Sequence, residues 1–259
     1  MEKNKVYFCD VMKFLEELED ESVDLAVIDP PYNLNKGEWD KFDGEEEYFN
    51  FTFGWLTALI PKLKPASSVY MFNTPYNSAI ILKFLTDKNL LFRNWITWYK
   101  KDGFSATKRR YVTTQETILF YSKSAEYTFN YDDVRQPYDS EDRIKHAAKK
   151  GILKNGKRWF PNENGKLCND VWEITSQRHK EKVHGKVKAA AHPTVKPYEM
   201  IERMIKASSN PGDTVLDLFS GSGMTSIVAK NLGRNFIGCE NQPEYINLIR
   251  GEGIEIGRL

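Results

Sequence analysis

The chain has 259 residues, 41% of them hydrophobic, and a formal net charge of +1. This length accommodates one α/β domain with an insertion, or two small domains, with a sizeable core. Because the net charge is close to zero, it does not by itself indicate any class of partner. Three widely separated cysteines exclude a disulfide framework and favour a reducing cytoplasm, and no apolar run reaches the ~18 residues of a membrane span. We therefore expect a cytoplasmic protein that does not associate with membranes.

The first 123 residues alternate between short apolar runs and segments with helical spacing. Such alternation predicts an α/β fold with a doubly wound, mostly parallel sheet. The expected strands are residues 5–9, 23–28, 67–73, 93–100 and 113–123, and the expected helices are 10–18, 48–63 and 77–89.

The strand expected at 23–28 ends in Asp29-Pro30-Pro31-Tyr32. Ending a strand requires only one proline or glycine. A carboxylate, two rigid prolines and an aromatic ring are more than a turn needs, so this segment is a candidate site of chemistry. Taken alone, Asp29 would more often be a turn or helix-cap carboxylate.

From residue 124 to about 190 the alternation is lost and the sequence becomes polar and basic. Between Arg143 and Lys188 there are 13 Lys or Arg residues against four acidic ones, a local balance of +9. A basic surface of this kind indicates an anionic partner. We therefore divide the chain into a first half at 1–123, a basic target-recognition insertion at 124–190, and a second half of the same domain at 191–259.

Regular spacing returns with a helix expected at 197–209, a strand at 213–219, a helix at 223–233 and a strand at 235–240. The turn Ser220-Gly221-Ser222-Gly223 follows the first of these strands, and Glu240 lies 19 residues after Gly221. Glycines let a ligand approach the backbone, and an acidic residue about 20 positions further on can accept ribose hydroxyls. A lone Gly-x-Gly can also be an ordinary strand-to-helix turn. The third glycine of a dinucleotide site is absent, which favours a nucleoside cofactor without phosphates, such as S-adenosylmethionine.

The order of these motifs resembles that of the β class of amino DNA methyltransferases, with Asp-Pro-Pro-Tyr first, a basic insertion, and then Phe-x-Gly-x-Gly. The segment His192 to Pro197, HPTVKP, agrees with that class. The resemblance implies a circularly permuted, Rossmann-like fold with a seven-stranded sheet, one reversed strand at its edge, and helices on both faces. It also implies methyl transfer from S-adenosylmethionine to adenine N6 or cytosine N4. The cytosine enzymes more often carry Ser at the first motif position, so Asp29 favours adenine.

The expected catalytic residues are Asp29, Pro30, Pro31 and Tyr32. An exocyclic amino nitrogen is a poor nucleophile because its lone pair is delocalised into the ring. Asp29 and the carbonyl of Pro30 can accept hydrogen bonds from both of its N–H groups, and the prolines fix the direction of that carbonyl. Tyr32 can stack on a base extruded from the duplex, and the polar loop at 33–48 can close over that base.

The expected cofactor site draws on both halves of the chain. By resemblance, Thr194 and Lys196 receive the cofactor carboxylate, and Asp10 receives the adenine amino group, although Asp10 also suits a helix N-cap. Asp29 can attract the sulfonium and the α-ammonium, and Phe219 either lines the pocket or packs in the core. The complete cofactor set is Asp10, Asp29, His192, Thr194, Lys196, Phe219, Ser220, Gly221, Gly223, Thr225 and Glu240.

Double-stranded DNA is the expected macromolecular partner, and its phosphates require lysine and arginine contacts. Arg178 is the candidate for base reading, because arginine pairs bidentately with guanine. Any single lysine of the insertion is more often part of a solvated surface. No metal is expected, since the four histidines show no ligand spacing with the cysteines. The DNA-binding set is Lys108, Arg109, Arg110, Lys149, Lys150, Lys157, Arg158, Arg178, Lys180 and Lys182.

Three other functions are compatible with this fold. One is methylation of cytosine N4. Another is methylation of RNA or of a protein amide, which Asp29 and the basic insertion disfavour. The third is a DNA-binding protein that has lost catalysis, which the intact Asp29, Tyr32 and Glu240 disfavour. A restriction-modification role would add a cognate restriction endonuclease acting on the same site, and the resemblance allows a homodimer.

Overall fold

The computed structural model describes residues 1–101, 108–176, 180–183, 186–189 and 195–259. Asp10 caps the first helix by accepting hydrogen bonds from the backbone amides of Met12 and Lys13, and Thr74 caps a later helix by accepting one from the amide of Asn77. The elements of the first half are β1 (Lys5–Phe8), α1 (Val11–Glu17), β2 (Val23–Ile28), α2 (Glu45–Leu59), β3 (Leu63–Asn73), α3 (Pro75–Asp87), β4 (Leu91–Tyr99) and β5 (Gln115–Ser122).

The basic insertion forms small elements of its own, including a hairpin that turns at Asn155 and Gly156, both with positive φ. Its start is fixed to the main domain, because the backbone amide of Asn130 donates to Ala207 O at 2.6 Å. The described elements of this segment are α4 (Glu141–Lys150), β6 (Ile152–Lys154), β7 (Lys157–Trp159), β8 (Val171–Glu173), β9 (Lys180–Val183) and β10 (Lys186–Ala189).

The second half continues the strand and helix alternation to the end of the chain. It contains all four elements expected from its spacing and adds a helix and a strand beyond residue 240. Its elements are α5 (Tyr198–Ser208), β11 (Thr214–Asp217), α6 (Met224–Asn231), β12 (Asn235–Glu240), α7 (Pro243–Gly251) and β13 (Glu255–Gly257).

The central sheet of the described chain has nine strands in the order β13-β1-β12-β11-β2-β3-β5-β4-β8. All neighbours pair in parallel except β5, which is antiparallel to both β3 and β4. The predicted α/β class and mostly parallel sheet are confirmed. Strands β2 and β11 are neighbours at the centre, with Val215 opposite Leu25, although they are about 190 residues apart in sequence. This adjacency places the end of the Asp-Pro-Pro-Tyr strand beside the glycine turn.

The expected strand count and the expected position of the reversed strand were wrong. Seven strands form the middle of the sheet, and the short strands β13 and β8 extend its two edges. Strand β4 lies outside β5 and leaves a free edge, which β8 of the insertion pairs with in parallel at Thr97 and Val171. The reversed strand β5 therefore lies inside the sheet.

Helices cover both faces of the sheet and bury two apolar layers. Helices α1, α2 and α3 pack on one face, with Phe14, Trp55 and Ile81 fully buried. Helices α5, α6 and α7 pack on the other face, around Met204 and Ile249. Within the described ranges, no helix combines the length and the apolar character needed to cross a membrane.

Gly238 in β12 tests how closely the sheet packs against the glycine turn. A Cβ at this position would lie 2.6 Å from both Asp217 O and Ser220 Oγ. We expect Gly238→Ala to lower the free energy of unfolding by about 1–3 kcal/mol, measured by urea denaturation. Gly54→Ala is the matched control, because an added Cβ there meets nothing within 4 Å. In the helix α2 it should raise stability by about 0.5–1 kcal/mol. Equal stabilities of the two variants would contradict the packing argument.

Candidate active site

Asp29 lies directly after β2 and is bound on both carboxylate oxygens. Its Oδ2 accepts a hydrogen bond from Lys196 Nζ at 2.6 Å, and its Oδ1 accepts one from the Tyr32 hydroxyl at 2.8 Å. Pro30 and Pro31, which separate Asp29 from Tyr32, are buried. Because the two prolines restrict the backbone between them, the Tyr32 side chain turns back and contacts the Asp29 carboxylate.

Lys196 is the centre of a buried cluster of charges. Its side chain is only 8% exposed, and its Nζ lies 3.7 Å from Glu116 Oε2 in addition to its bond with Asp29. The ammonium also lies 5.4 Å from the ring centroid of Tyr32 and 5.1 Å from that of Phe72. Burying an ammonium requires paired carboxylates, and two are present here.

Glu116, on β5, is a member of this cluster that was not expected from the sequence. Its Oε1 accepts from Lys100 Nζ at 2.7 Å, and its Oε2 lies 3.4 Å from the Tyr32 hydroxyl. The only signal in the sequence is an acidic residue at the start of an apolar strand. That signal is weak, because strand ends commonly carry polar residues.

The pKa shifts of this cluster follow from burial opposed by charge pairing. Burial raises the pKa of Asp29, and Lys196 only partly offsets this. Burial also acts to raise the pKa of Glu116, but Lys196 and Lys100 outweigh it and hold that pKa below its ordinary value. Burial acts to lower the pKa of Lys196, and the two carboxylates reverse the effect, so this pKa is raised. The pKa of Tyr32 is raised well above its ordinary value, mainly by burial, so its hydroxyl remains a donor.

The loop after Tyr32 is organised around Asp40, a second residue that sequence analysis missed. Asp40 is 1% exposed, and its carboxylate accepts hydrogen bonds from four backbone amides, at 2.6 to 3.1 Å. The donors are the amides of Tyr32, Asn33, Leu34 and Lys36. An acid in a polar loop gives no sign in sequence of being buried, because only the folded backbone directs these amides towards it.

The glycine turn leads from β11 into α6 with two residues in the left-handed region. Gly221 has φ of +48° and Gly223 has φ of +79°, and Gly223 starts α6. Glu240 closes the turn from β12, because its Oε2 accepts from the amide of Gly221 at 2.7 Å. Its Oε1 accepts from the amides of Asn241 and Gln242, both at 2.9 Å. A carboxylate has about four acceptor positions, so roughly one remains for a ligand hydroxyl.

One cavity of about 290 Å³ joins the Asp29 cluster to the glycine turn. Asp10 caps α1 and also borders this cavity, and Phe219 borders the cavity while packing edge-on against Trp55. Gly223 lies at the start of α6 and not on the wall. The wall includes Asp10, Asp29, Pro30, Pro31, Tyr32, Lys196, Phe219, Ser220, Gly221, Thr225 and Glu240, together with Glu116, Asp217, Trp39 and Tyr245, which were not expected.

Seven of the predicted DNA-binding residues are exposed. Lys108, Arg109 and Arg110 are exposed between β4 and β5, next to Tyr111, which is 98% exposed. Lys149 and Lys150 end α4, and Lys157 and Arg158 form part of β7, all exposed. Lys180 and Lys182 lie on β9. Arg178, His192 and Thr194 lie outside the described residues, so their predicted roles stay predictions.

The turn and its surroundings fit a nucleoside cofactor without phosphates. Gly221, one of the two left-handed glycines, lies on the cavity wall, and Glu240 offers a buried acceptor beside it. The apolar wall near Phe219 suits an aromatic base. This pocket, beside a strand that ends in Asp-Pro-Pro-Tyr on a permuted parallel sheet, is the architecture of an amino methyltransferase.

The chain belongs to the DNA methylase family, whose sequence pattern matches residues 23–251. It is 58% identical to the type II methyltransferase M1.MboII of Moraxella bovis over 247 residues, which cover 95% of each chain. It is 35% identical to the type II methyltransferase M.HpaI of Haemophilus parainfluenzae over 92% of this chain and 70% of that one. The expectation of an S-adenosylmethionine-dependent DNA methyltransferase is confirmed.

Two solved structures show the same fold. The M1.HpyAVI–SAM complex matches with a TM-score of 0.65 at 23% identity, over 95% of this chain and 97% of that one. The cytosine-N4-specific PvuII DNA methyltransferase matches with a TM-score of 0.68 at 19% identity, over 94% of this chain and 83% of that one. The circularly permuted methyltransferase fold expected from the motif order is therefore confirmed.

Asp217 should make the stability of the protein depend on pH. Burial raises its pKa to about 7 from an ordinary value of 3.8, with smaller contributions from Asp29 and Glu240. A raised pKa gives stability that is complete below pH 3.8 and is lost as the pH rises through about 7. Relative to Asp217→Asn, the wild type should therefore lose up to about 4 kcal/mol of unfolding free energy between pH 4 and pH 8. Urea denaturation across this range measures the difference, with exposed Asp87→Asn as control. A difference independent of pH would contradict the assignment.

Asp40 should control the order of the loop that follows Tyr32. Asp40→Ala leaves four amides without their acceptor and should cost at least about 2 kcal/mol of unfolding free energy. The loop should also become more accessible, so that trypsin cleaves after Lys36 and Lys41 faster than in the wild type. Asp43→Ala, at an exposed position in the same loop, is the matched control and should leave cleavage unchanged. Equal cleavage rates in the two variants would show that Asp40 does not hold the loop.

Proposed function

We propose that this protein methylates N6 of adenine at a specific site in duplex DNA, as the modification enzyme of a restriction-modification system. One observation carries the proposal: the Asp29 carboxylate and the glycine turn border the same cavity. A methyl donor held at the turn and an amino group held at Asp29 would meet there. The similarity to M1.MboII, a type II methyltransferase, supports the restriction-modification role.

When bound, S-adenosylmethionine supplies a methyl group activated by a positively charged sulfur. Glu240 would accept a ribose hydroxyl, and the amides of the glycine turn would border the bound nucleoside. Phe219 would contact the adenine ring of the cofactor, and Asp10 would receive its amino group. The carboxylates of Asp29 and Asp217 on the cavity wall would favour a cationic ligand.

Asp29 and the Pro30 carbonyl would accept the two hydrogens of the target amino group. These bonds draw the nitrogen out of conjugation with the ring and direct its lone pair towards the methyl donor. Positioning supplies most of the rate, because a well-oriented pair of reactants avoids a large entropic cost. Lys196 lies over the Tyr32 ring at 5.4 Å, so an extruded base would stack on the opposite face.

Adenine is proposed over cytosine because of the residue type at Asp29. The cytosine-N4 enzymes of this class more often have Ser at this position. A carboxylate is a stronger acceptor than a hydroxyl, and its hydrogen bonds to an amino group are charge-assisted. The fold itself does not distinguish adenine-N6 from cytosine-N4 specificity, because the cytosine-N4-specific PvuII enzyme has the same fold.

The basic insertion and the segment at Lys108–Arg110 would contact the DNA backbone. The hairpin of β6 and β7 exposes Lys157 and Arg158 next to Trp159, a mixture of basic and aromatic side chains suited to nucleic acid. Arg178 would read a guanine. A cognate endonuclease acting at the same site, a homodimeric assembly and a cytoplasmic location belong to the same proposal.

Transfer of a tritiated methyl group to duplex DNA, followed by hydrolysis, tests the proposal directly. We expect the label in N6-methyladenine, and Asp29→Ala should reduce transfer by at least about 10³-fold. Cofactor affinity, measured by titration calorimetry, should change little in that variant, because Asp217 and Glu240 remain on the cavity wall. Exposed Asp20→Ala is the control and should retain full activity. Label in N4-methylcytosine would overturn the adenine assignment, and an active Asp29→Ala would overturn the catalytic one.

A further inference from the structure

In the structure described here, both carboxylate oxygens of Asp29 already accept a hydrogen bond. The Tyr32 hydroxyl donates to Oδ1 at 2.8 Å and Lys196 donates to Oδ2 at 2.6 Å. Each of these bonds withdraws charge from the carboxylate and so weakens it as an acceptor. Asp29 would therefore be a stronger acceptor for the target amino group if one of these donors bonded to another carboxylate.

Glu116 is placed to be that acceptor. Its Oε2 lies 3.4 Å from the Tyr32 hydroxyl and 3.7 Å from Lys196 Nζ, so it faces both donors that Asp29 now holds. Its other oxygen, Oε1, is fixed by Lys100 Nζ at 2.7 Å, which orients the carboxylate towards the cluster. The longer distances show that Glu116 is the second partner of both donors in this state.

We propose that Glu116 is a positioning residue that takes over the Tyr32 hydroxyl, and a larger share of the Lys196 ammonium, when Asp29 binds the amino group of the target base. The inference rests on the proposed role of Asp29. No bond other than hydrogen bonds is exchanged in this step. The hydroxyl rotates from one carboxylate to another, and the total charge of the cluster is unchanged.

The surroundings of Glu116 favour this role over a purely structural one. The groups that face it are Lys100, directly after β4, Lys196 from the segment before α5, and Asp29 and Tyr32 from the segment after β2. A structural ion pair with Lys100 alone would not require the second oxygen to face the catalytic residues. The lysines keep Glu116 ionised, so it can accept a hydrogen bond throughout the reaction.

Steady-state kinetics of Glu116→Gln test the proposal. We expect kcat to fall by about 10- to 100-fold, with KM for DNA and the cofactor dissociation constant unchanged within about threefold. The negative charge of Glu116 raises the pKa of Asp29, so the acidic limb of the kcat profile should also move to lower pH in the variant. Glu45→Gln is the matched control, because Glu45 likewise accepts a tyrosine hydroxyl, that of Tyr76, but on the surface. Its kcat and pH profile should be those of the wild type.

A double-mutant cycle with Tyr32→Phe separates positioning from structure. If Glu116 acts by receiving the Tyr32 hydroxyl, Glu116→Gln should lower kcat by less than about fivefold once that hydroxyl is absent. An equal fold decrease of kcat by Glu116→Gln in the wild type and in Tyr32→Phe would overturn the proposal. A lower melting temperature with unchanged kcat and an unchanged pH profile would do the same.

Lys100→Gln provides a second variant if Glu116→Gln does not fold. Lys100 lowers the pKa of Glu116, so its removal should protonate Glu116 at higher pH and move the acidic limb of the kcat profile upward. An unmoved limb would overturn the proposal.

The wild type serves as the reference in every assay. Absence of DNA methylation by the wild type would reject the proposed function, whereas an active wild type with an equally active Glu116→Gln would reject this inference alone.

Discussion

The site depends on one interaction, the burial of the Lys196 ammonium between Asp29 and Glu116. Removing Lys196 would leave the buried carboxylate of Asp29 without its cationic partner in a low-dielectric environment, which is strongly unfavourable. The three residues come from the end of β2, from β5, and from the segment before α5, and Lys196 is 167 residues from Asp29 in sequence. The ion cluster therefore fixes the two halves of the domain relative to each other at the cavity that both motifs border.

Around this cluster, the two prolines and the Asp40 carboxylate hold the backbone after Asp29 in place. The two prolines set the backbone after Asp29, while Asp40 gathers the following loop by accepting four of its amides. That loop also reaches the second half of the chain, because Trp39 Nε1 donates to the Tyr245 hydroxyl at 3.1 Å. The cavity is thereby bordered by the loop on one side and by the glycine turn on the other, so ordering of the loop and binding in the cavity are physically linked.

The short-range features of the molecule could be predicted from sequence because their causes are local. Apolar spacing identified the seven middle strands of the sheet and five of the helices that cover it, and Asp-Pro-Pro-Tyr and Ser-Gly-Ser-Gly marked the two strand ends that border the cavity. The interior position of β5 and the edge pairing of β8 could not be predicted, because strand order depends on which edges remain free after the chain has folded. Glu116 and Asp40 were missed for a similar reason: nothing local distinguishes a buried acid from a solvated one.

The sequence by itself determined the family, the α/β alternation, the residues of the two motifs, and the presence of a carboxylate at position 29. These follow from covalent chemistry and local conformational preference, which are properties of short segments. Only the tertiary structure decided that Lys196 pairs with Asp29 and Glu116, that Tyr32 donates to Asp29, and that Asp40 organises the adjacent loop. These contacts depend on burial and on distances between residues far apart in the chain, and both arise only when the sheet has assembled.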